Sequence, residues 1–422
     1  MTPAARAQAA IEILAKLDET QQAADRYLRE WARAHRYAGS KDRAWLRDRV
    51  YDVLRHRASF GWRMGGGDTR AAIIASLIAE GKSADELERI FTGEGYGPPA
   101  LNEDEKRAIL TPPDSPPPDY VRGDYPLWLE PELTRAFGTR VVEEMQAMQG
   151  RAPVDLRVNT LRAERSVLLT GLEGLDIKCE PTPYSPWGIR IPSAEGLSAL
   201  QHTQFFQTGA FEFQDEASQI ASLLCAVKPG QSVLDLAAGG GGKSLAIAAA
   251  MGNSGEILAF DDKPERLRDV GARARRAGAS IIKIADRRSG PAWGTGQFDI
   301  VLVDAPCSGT GTWRRNPELK WRLTPDRLQG LIGTQTWLID DGARHTVPGG
   351  RLVYATCSLL RCENEDVIEA FLARHPNFHR LDAGEIWAGL GFTAPPGMAR
   401  EFRASPLKGG TDGFFAAVLQ RT

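Results

Sequence analysis

The feature that most restricts the fold is a series of short apolar runs in the second half of the chain, separated by spacers of helix length. The runs are QSVLDL (231–236), GEILAFD (255–261), SIIKIAD (280–286), FDIVLVD (298–304), GRLVYAT (350–356) and GFFAAVLQ (413–420). Val, Ile and Leu occupy neighbouring positions in these runs, so both faces of each strand are expected to be buried. The pattern predicts an α/β fold, with a doubly wound, mostly parallel sheet over residues 206–422.

The first half of the chain has a different texture. Apolar residues recur at helical spacing through residues 4–60, and this pattern continues to about residue 110. Five prolines within residues 111–120 then rule out a helix there. Strand-like runs alternate with a helical run over about 150–200, which indicates a small α/β module. We therefore predict an all-α domain at 1–140, a small α/β module at 141–205 and the doubly wound domain at 206–422.

Composition excludes several classes of protein. The net charge of −2 gives no global attraction for nucleic acid, although residues 1–57 carry twelve Lys/Arg against eight Asp/Glu. Five widely spaced cysteines without a CxxC pair argue against a disulfide framework and against a zinc site, so no metal is expected. We also find no signal-peptide pattern and no apolar run of about 18 residues. A cytoplasmic monomer without membrane association is expected.

A glycine-rich loop follows the first apolar run. Its residues are Ala237, Ala238, Gly239, Gly240, Gly241, Gly242 and Lys243. The sequence AAGGGGKS is one residue away from a phosphate-binding loop, because Ala237 stands where the first glycine belongs. Alternatively the loop holds a nucleoside-type cofactor, with Asp261 on the ribose hydroxyls and Asp286 near the adenine. A purely structural turn is a third interpretation.

Two cysteines follow strands that are expected to end at the same edge of the sheet. Asp304 and Cys307 lie in DAPCSGTG (304–311), and Cys357 closes GRLVYATC. Ligands bind outside the carboxyl ends of such strands, so both thiols are expected to face the cofactor pocket. A thiolate can add to carbon 6 of a pyrimidine and make carbon 5 nucleophilic, while a second thiol helps to break the adduct.

Several segments, in this order along the chain, resemble the RsmB/Nop/NSUN family of RNA cytosine carbon-5 methyltransferases. They are RVNTLR (157–162), FEFQDEAS (211–218), DAPCSGTG (304–311), RRNPELKW (314–321), YATCSLLRCENEDVI (354–368) and GGTDGFF (409–415). The resemblance runs from about residue 150 to the end. The first 140 residues also resemble, more weakly, the NusB-type RNA-binding domain of bacterial RsmB-like members.

The resemblance implies a Rossmann-like class I methyltransferase domain that uses S-adenosylmethionine. It implies that Cys357 is the nucleophile and that Cys307 assists product release. Asp304 is expected to contact both cofactor and cytosine, and the loop at 237–243 is expected to hold the cofactor together with Asp261 and Asp286. Gly240 stands where the family usually has proline, and Ala237 replaces a common cysteine.

The implied substrate is small-subunit ribosomal RNA, with transfer RNA as the first alternative. The predicted RNA contacts are Arg157, Arg162, Arg314, Arg315 and Lys320, for which surface salt bridges are the competing interpretation. Two other functions stay open. One is a nucleotide hydrolase using AAGGGGKS, and the other is a non-catalytic RNA-binding factor in ribosome assembly that retains the fold.

Overall fold

The computed structural model describes residues 1–20, 22–192, 197–285 and 298–422. Its helices are α1 (Pro3–Glu19), α2 (Ala24–Ala34), α3 (Ser40–Arg55), α4 (Arg57–Met64), α5 (Thr69–Ala79), α6 (Ala84–Ile90), α7 (Glu103–Leu110), α8 (Asp119–Arg122), α9 (Glu130–Phe137), α10 (Val141–Ala147), α11 (Arg165–Glu173), α12 (Leu197–Leu200), α13 (Gln204–Gln207), α14 (Glu216–Leu223), α15 (Gly242–Ala250), α16 (Val270–Ala277), α17 (Glu318–Arg322), α18 (Pro325–His345), α19 (Glu365–Arg374), α20 (Ala383–Gly389) and α21 (Pro406–Gly409). Its strands are β1 (Val154–Val158), β2 (Glu180–Pro181), β3 (Gly188–Ile191), β4 (Phe211–Phe213), β5 (Ser232–Asp235), β6 (Glu256–Ala259), β7 (Ile282–Ile284), β8 (Phe298–Asp304), β9 (Thr346–Thr356), β10 (Phe378–Leu381), β11 (Phe402–Ala404) and β12 (Phe414–Arg421).

The chain divides into two compact units. The first comprises Met1–Arg151 and Thr312–Thr324, and the second comprises Ala152–Gly311 and Pro325–Thr422. The small α/β module and the doubly wound sheet thus lie in the same unit. The sequence predicts a boundary between these two parts and assigns residues 312–324 to the doubly wound domain, so the division of the structure differs from the prediction at both points.

The first unit is helical, as the sequence predicted. Side-chain caps define where several of its helices begin: Thr2 accepts a hydrogen bond from the amide of Ala5, and Ser83 forms a capping box with Glu86. Its core is built from the apolar faces of α1, α3 and α5, with Ile13 and Ile73 almost fully buried. The resemblance to a NusB-type domain stays a prediction.

Residues 312–324 pack within this helical unit. The indole nitrogen of Trp321 donates to the carbonyl of Leu54 over 2.7 Å, and Nζ of Lys320 lies 3.3 Å from the carbonyl of Arg55. Oε1 of Glu318 accepts a hydrogen bond from the amide of Ala24 at 3.1 Å. These bonds satisfy backbone groups at the ends of α2 and α3, which explains why the segment belongs to this unit.

The small module contains a four-stranded antiparallel sheet in the order β2-β3-β1-β4. Leu156 on β1, Leu172 on α11 and Phe211 on β4 share its core. The predicted module ended at residue 205, before β4. Phe211 pairs with Val158, so β4 completes the small sheet and does not begin the large one.

The large sheet follows the order β10-β12-β9-β8-β5-β6-β7, with β11 paired to β12. Strands β5 to β9 are mutually parallel, whereas β12 runs antiparallel to β9. Val233 and Leu234 are both fully buried but belong to different apolar clusters, because successive strand residues point to opposite faces. This arrangement confirms the predicted doubly wound α/β fold.

Within the described ranges, no helix is both long enough and apolar enough to cross a membrane.

Candidate active site

The glycine-rich loop connects β5 to α15 at the carboxyl edge of the sheet. Gly239 and Gly241 adopt φ values of +51° and +77°, a region that residues with a Cβ rarely enter. A Cβ built on Gly239 meets nothing within 4 Å, so the loop faces open space at this residue. The amide of Ala238 donates to the carbonyl of Phe260, which ties the loop to the end of β6.

Asp261 follows β6 and lies beside this loop. Its Oδ2 accepts a hydrogen bond of 3.0 Å from the amide of Gly239, and its Oδ1 accepts another from the amide of Lys263. The side chain is only 2% exposed. These two bonds fix the orientation of the carboxylate, and each oxygen keeps capacity for a further donor such as a ribose hydroxyl.

A second carboxyl lies beneath the loop. Asp235 ends β5 with no exposed surface, and its Oδ2 accepts a hydrogen bond from the hydroxyl of Ser244 at 2.5 Å. Its Oδ1 is buried without a hydrogen-bond partner. Burial raises the pKa of Asp235 to about 7, although the Ser244 hydroxyl opposes that shift.

Lys243 and Asp304 form an ion pair between the loop and the tip of β8. The distance from Nζ to Oδ2 is 2.6 Å, and the ammonium also lies 5.1 Å from the ring centre of Phe414. Lys243 is largely buried, whereas the Asp304 side chain is one third exposed. This ion pair holds Asp304 in one orientation and leaves part of its carboxylate accessible.

Two arginines donate to main-chain carbonyls of the loop, and a third arginine shares the partner Glu212 with one of them. Arg157 on β1 donates to the carbonyl of Gly242 at 2.6 Å, and Arg273 on α16 donates to the carbonyl of Gly240. Arg273 and Arg276 both pair with Glu212 on β4. The small sheet thus supports the loop through Arg157 directly and through Glu212 indirectly.

The two cysteines predicted at neighbouring strand ends lie in contact. Sγ of Cys307 is 3.3 Å from Sγ of Cys357, and both residues are half-buried. The hydrogen bond to Cys357, together with burial, raises the pKa of Cys307 well above its ordinary value. Cys307 therefore keeps its proton, and a thiol is a weaker nucleophile than a thiolate.

The structure separates the predicted RNA contacts into two groups. Arg162 is exposed and Arg315 is half-buried, whereas Arg157, Arg314 and Lys320 are buried. Burial lowers the pKa of Arg157 to about 10 and that of Lys320 to about 8. Enclosed side chains cannot reach a nucleic acid, so the structure speaks against direct RNA contact by these three buried residues.

The remaining cofactor prediction, Asp286, lies outside the described residues. Two parts of the site had no counterpart in the sequence analysis. One is the support of the loop by Arg273 and Glu212, and the other is Glu363, a buried carboxylate between the two cysteine-bearing turns. Glu363 lies in the family-like segment 354–368, which was the available signal for it.

The parallel sheet, the glycine-rich loop after β5 and the acidic residue at the tip of β6 define a Rossmann-like domain of the class that binds nucleoside-type cofactors. Residues 222–420 match the sequence model of the 16S rRNA methyltransferase RsmB/F family, and residues 125–197 match the ferredoxin-like domain of RsmF/B-like methyltransferases. The chain belongs to the RsmB/F family, whose members are S-adenosylmethionine-dependent methyltransferases.

Individual relatives agree with this assignment. The ribosomal RNA small subunit methyltransferase B of Yersinia pseudotuberculosis is 34% identical over 297 residues, which are 70% of this chain and 66% of that protein. The solved structure of PH0851 covers 100% of this chain and 99% of its own, with a TM-score of 0.76 and 26% identity. A methyltransferase homologue from Pyrococcus horikoshii covers 72% of this chain and 98% of its own, with a TM-score of 0.60 and 28% identity.

Proposed function

We propose that the protein transfers a methyl group from S-adenosylmethionine to carbon 5 of a cytosine in small-subunit ribosomal RNA. The observation that carries the proposal is the contact between Cys307 and Cys357, whose sulfur atoms lie 3.3 Å apart at the carboxyl edge of the sheet. Two thiols at this position suit addition to a pyrimidine and its reversal. Neither a phosphate-loop hydrolase nor a non-catalytic factor has a chemical use for them.

The residues around the loop fit the cofactor. Gly239 faces open space, Asp261 offers carboxylate oxygens at the tip of β6, and Asp235 has one buried oxygen without a partner. Bound S-adenosylmethionine would supply an electrophilic methyl group. Within the chain, Asp261 would hold the ribose hydroxyls, and the loop backbone would fit closely against the nucleoside.

Cys357 is the proposed nucleophile. Its thiolate adds to carbon 6 of cytosine, so carbon 5 becomes electron-rich and would take the methyl group as the bond between that group and the sulfonium sulfur breaks and the cofactor leaves as a neutral thioether. Loss of the proton on carbon 5 then returns an electron pair to the ring and expels the Cys357 thiolate. The raised pKa of Cys307 suits a residue that keeps a proton during the addition and assists the departing thiolate.

Asp304 is proposed to hold the cytosine. Its partly exposed carboxylate is oriented by Lys243 over 2.6 Å, so one oxygen is fixed and the other can meet the exocyclic amine or a protonated ring nitrogen. A carboxylate in this place stabilises the positive charge that the ring gains on protonation. It also favours cytosine over uracil, because uracil presents a carbonyl oxygen at the corresponding position.

The proposed substrate follows from the name of the Yersinia relative, ribosomal RNA small subunit methyltransferase B. The aligned region covers 66% of the length of that relative and of its Bacillus subtilis counterpart. Arg162, which is exposed on the small module, is the predicted RNA contact that its position continues to support.

Methyl transfer to defined RNAs tests the proposal. The full chain is incubated with tritiated S-adenosylmethionine and, separately, unmodified small-subunit ribosomal RNA, small ribosomal subunits and transfer RNA. Mass spectrometry of the digested RNA then identifies the methylated nucleoside. The proposal expects 5-methylcytidine in ribosomal RNA. Label in transfer RNA alone would overturn the substrate, and no label in any RNA would support the non-catalytic alternative.

A further inference from the structure

A single buried carboxylate connects the two cysteine-bearing turns. Glu363 has no exposed surface, and its Oε1 accepts a hydrogen bond of 2.8 Å from the amide of Ser308, the residue that follows Cys307. Its Oε2 accepts bonds from the hydroxyls of Ser308 and of Ser358, the residue that follows Cys357. Each cysteine is therefore one peptide unit away from a serine bonded to the same carboxylate.

Further bonds hold this carboxylate in place. Nε2 of Gln335 donates both to Oε1 of Glu363 and to the carbonyl of Pro306, at 2.9 Å in each case. The hydroxyl of Tyr354 donates to the main-chain carbonyl of Glu363 at 2.6 Å. The carboxylate is thus held from α18, and the main chain of Glu363 is held from β9, the strand that leads to Cys357.

The two turns also contact each other beside Glu363. The hydroxyls of Ser308 and Ser358 lie 3.3 Å apart, and Oγ1 of Thr310 accepts a bond of 2.8 Å from the amide of Leu359. All three hydroxyl groups are buried. A buried donor without an acceptor destabilises the folded protein. The arrangement of these hydroxyl groups therefore depends on the Glu363 carboxylate that they surround.

We propose that Glu363 is a positioning residue for the reaction, which sets the separation of the Cys307 and Cys357 sulfur atoms by bonding Ser308 and Ser358 together. The catalytic part of this inference rests on the proposed function, whereas the geometric part does not. The residue acts through the serines, and its role is to keep two side chains from different turns in one productive arrangement.

A carboxylate suits this role better than an amide. Four donors converge on the two oxygens of Glu363, and an ionised carboxylate is an acceptor at every lone pair. In Glu363→Gln one oxygen becomes an NH₂ group, which presents a donor to serine hydroxyls that already donate. These hydroxyls must rotate or separate, and the turns that carry the cysteines shift with them. A misplacement of about 1 Å can cost about a hundredfold in rate.

The first test measures the sulfur pair without RNA or cofactor. Diamide, which oxidises two neighbouring thiols to a disulfide, is added to the full chain, and mass spectrometry follows formation of the Cys307–Cys357 bond. Glu363→Gln is expected to slow this reaction at least about tenfold. Glu216→Gln is the matched control, because Glu216 is a buried carboxylate of the same unit that accepts the amides of Tyr184 and Ser185. Equal rates in native protein and both variants would overturn the inference.

The second test concerns catalysis. Glu363→Gln is expected to lower kcat about tenfold to a hundredfold while leaving the KM values for RNA and cofactor unchanged. A rise in KM at constant kcat would contradict a positioning role. Should Glu363→Gln fail to fold, Ser358→Ala removes one of the bonds and keeps the carboxylate. That variant is expected to slow disulfide formation in the same assay, and an unchanged rate would overturn the inference. If Glu363→Gln forms the disulfide slowly but native protein methylates no RNA, the result contradicts only the proposed function.

Discussion

Nζ of Lys243 lies 2.6 Å from Oδ2 of Asp304, so the last residue of the glycine-rich loop is bonded to the carboxylate that precedes the Cys307 turn. The loop that is proposed to hold the cofactor and the strand tip that is proposed to hold the cytosine are therefore joined by one ion pair. We therefore expect a displacement of Lys243 to move the Asp304 carboxylate as well.

Replacing Lys243 tests this connection. In Lys243→Met the Asp304 carboxylate loses the bond that orients it, and methyl transfer is expected to fall about a hundredfold, as when one fixed charge partner is removed from an active site. Lys283→Met is a suitable control, because Lys283 is an exposed lysine paired with Glu256. Single-turnover methylation rates measure the effect. Rates within about twofold of native protein in both variants would contradict the role of the ion pair.

The external support of the loop makes a separate prediction. Arg273→Ala frees the carbonyl of Gly240 and is expected to weaken binding of S-adenosylmethionine about fivefold to tenfold, which corresponds to about 1 kcal/mol for a lost hydrogen bond. Arg276→Ala removes the other partner of Glu212 without touching the loop. Calorimetry on both variants separates these effects. Equal affinities for the two variants would show that the bond to Gly240 does not support the loop.

The sequence predicts some of these features and not others. The apolar runs predicted the strands of the large sheet, because burial on both faces leaves a local signature. The neighbouring ends of β8 and β9 followed from that order, so Cys307 and Cys357 were expected to face the same pocket, whereas their direct contact is seen only in the structure. The bond between Arg273 and Gly240 joins residues 33 apart and leaves no such signature.

Burial of the predicted RNA contacts was also beyond the sequence. Lys320 and Arg314 stand in a charged segment that is typical of a protein surface. Trp321 nevertheless donates to Leu54, 267 residues away, and this pairing places the segment inside the helical unit. The composition of a short segment does not indicate a contact with a residue so far away along the chain. The burial of Arg157 has the same cause, since its partner Gly242 lies 85 residues away.

The buried carboxyl of Asp235 predicts a pH dependence of stability. Its folded pKa of about 7 exceeds the ordinary value of 3.8, so the folded state binds more protons between these values and stability falls as pH rises from about 4 to 7. Asp235→Asn removes this loss. The unfolding free energy of native protein relative to the variant is expected to drop by about 4 kcal/mol across that window. Urea titrations at several pH values measure it, and a constant difference would contradict the assignment.

Lys320 predicts the opposite trend at higher pH. Burial lowers its folded pKa from 10.5 to about 8, so the unfolded state binds more protons between these values and stability rises with pH there. Relative to Lys320→Met, native protein is expected to gain about 3 kcal/mol between pH 8 and 10.5. Urea unfolding of both proteins provides the comparison. A difference that stays flat or declines over this range would show that the lysine is hydrated.

The most direct measurement of the central claim compares Cys357→Ala with Cys307→Ala in the presence of RNA and tritiated S-adenosylmethionine. The reaction is followed both by 5-methylcytidine in the RNA and by protein–RNA adduct on denaturing gels. The account predicts that Cys357→Ala gives neither product, because no thiolate attacks carbon 6. Cys307→Ala is predicted to accumulate the adduct, because release from Cys357 is impaired. Methylation by Cys357→Ala, or adduct in that variant alone, would contradict the account.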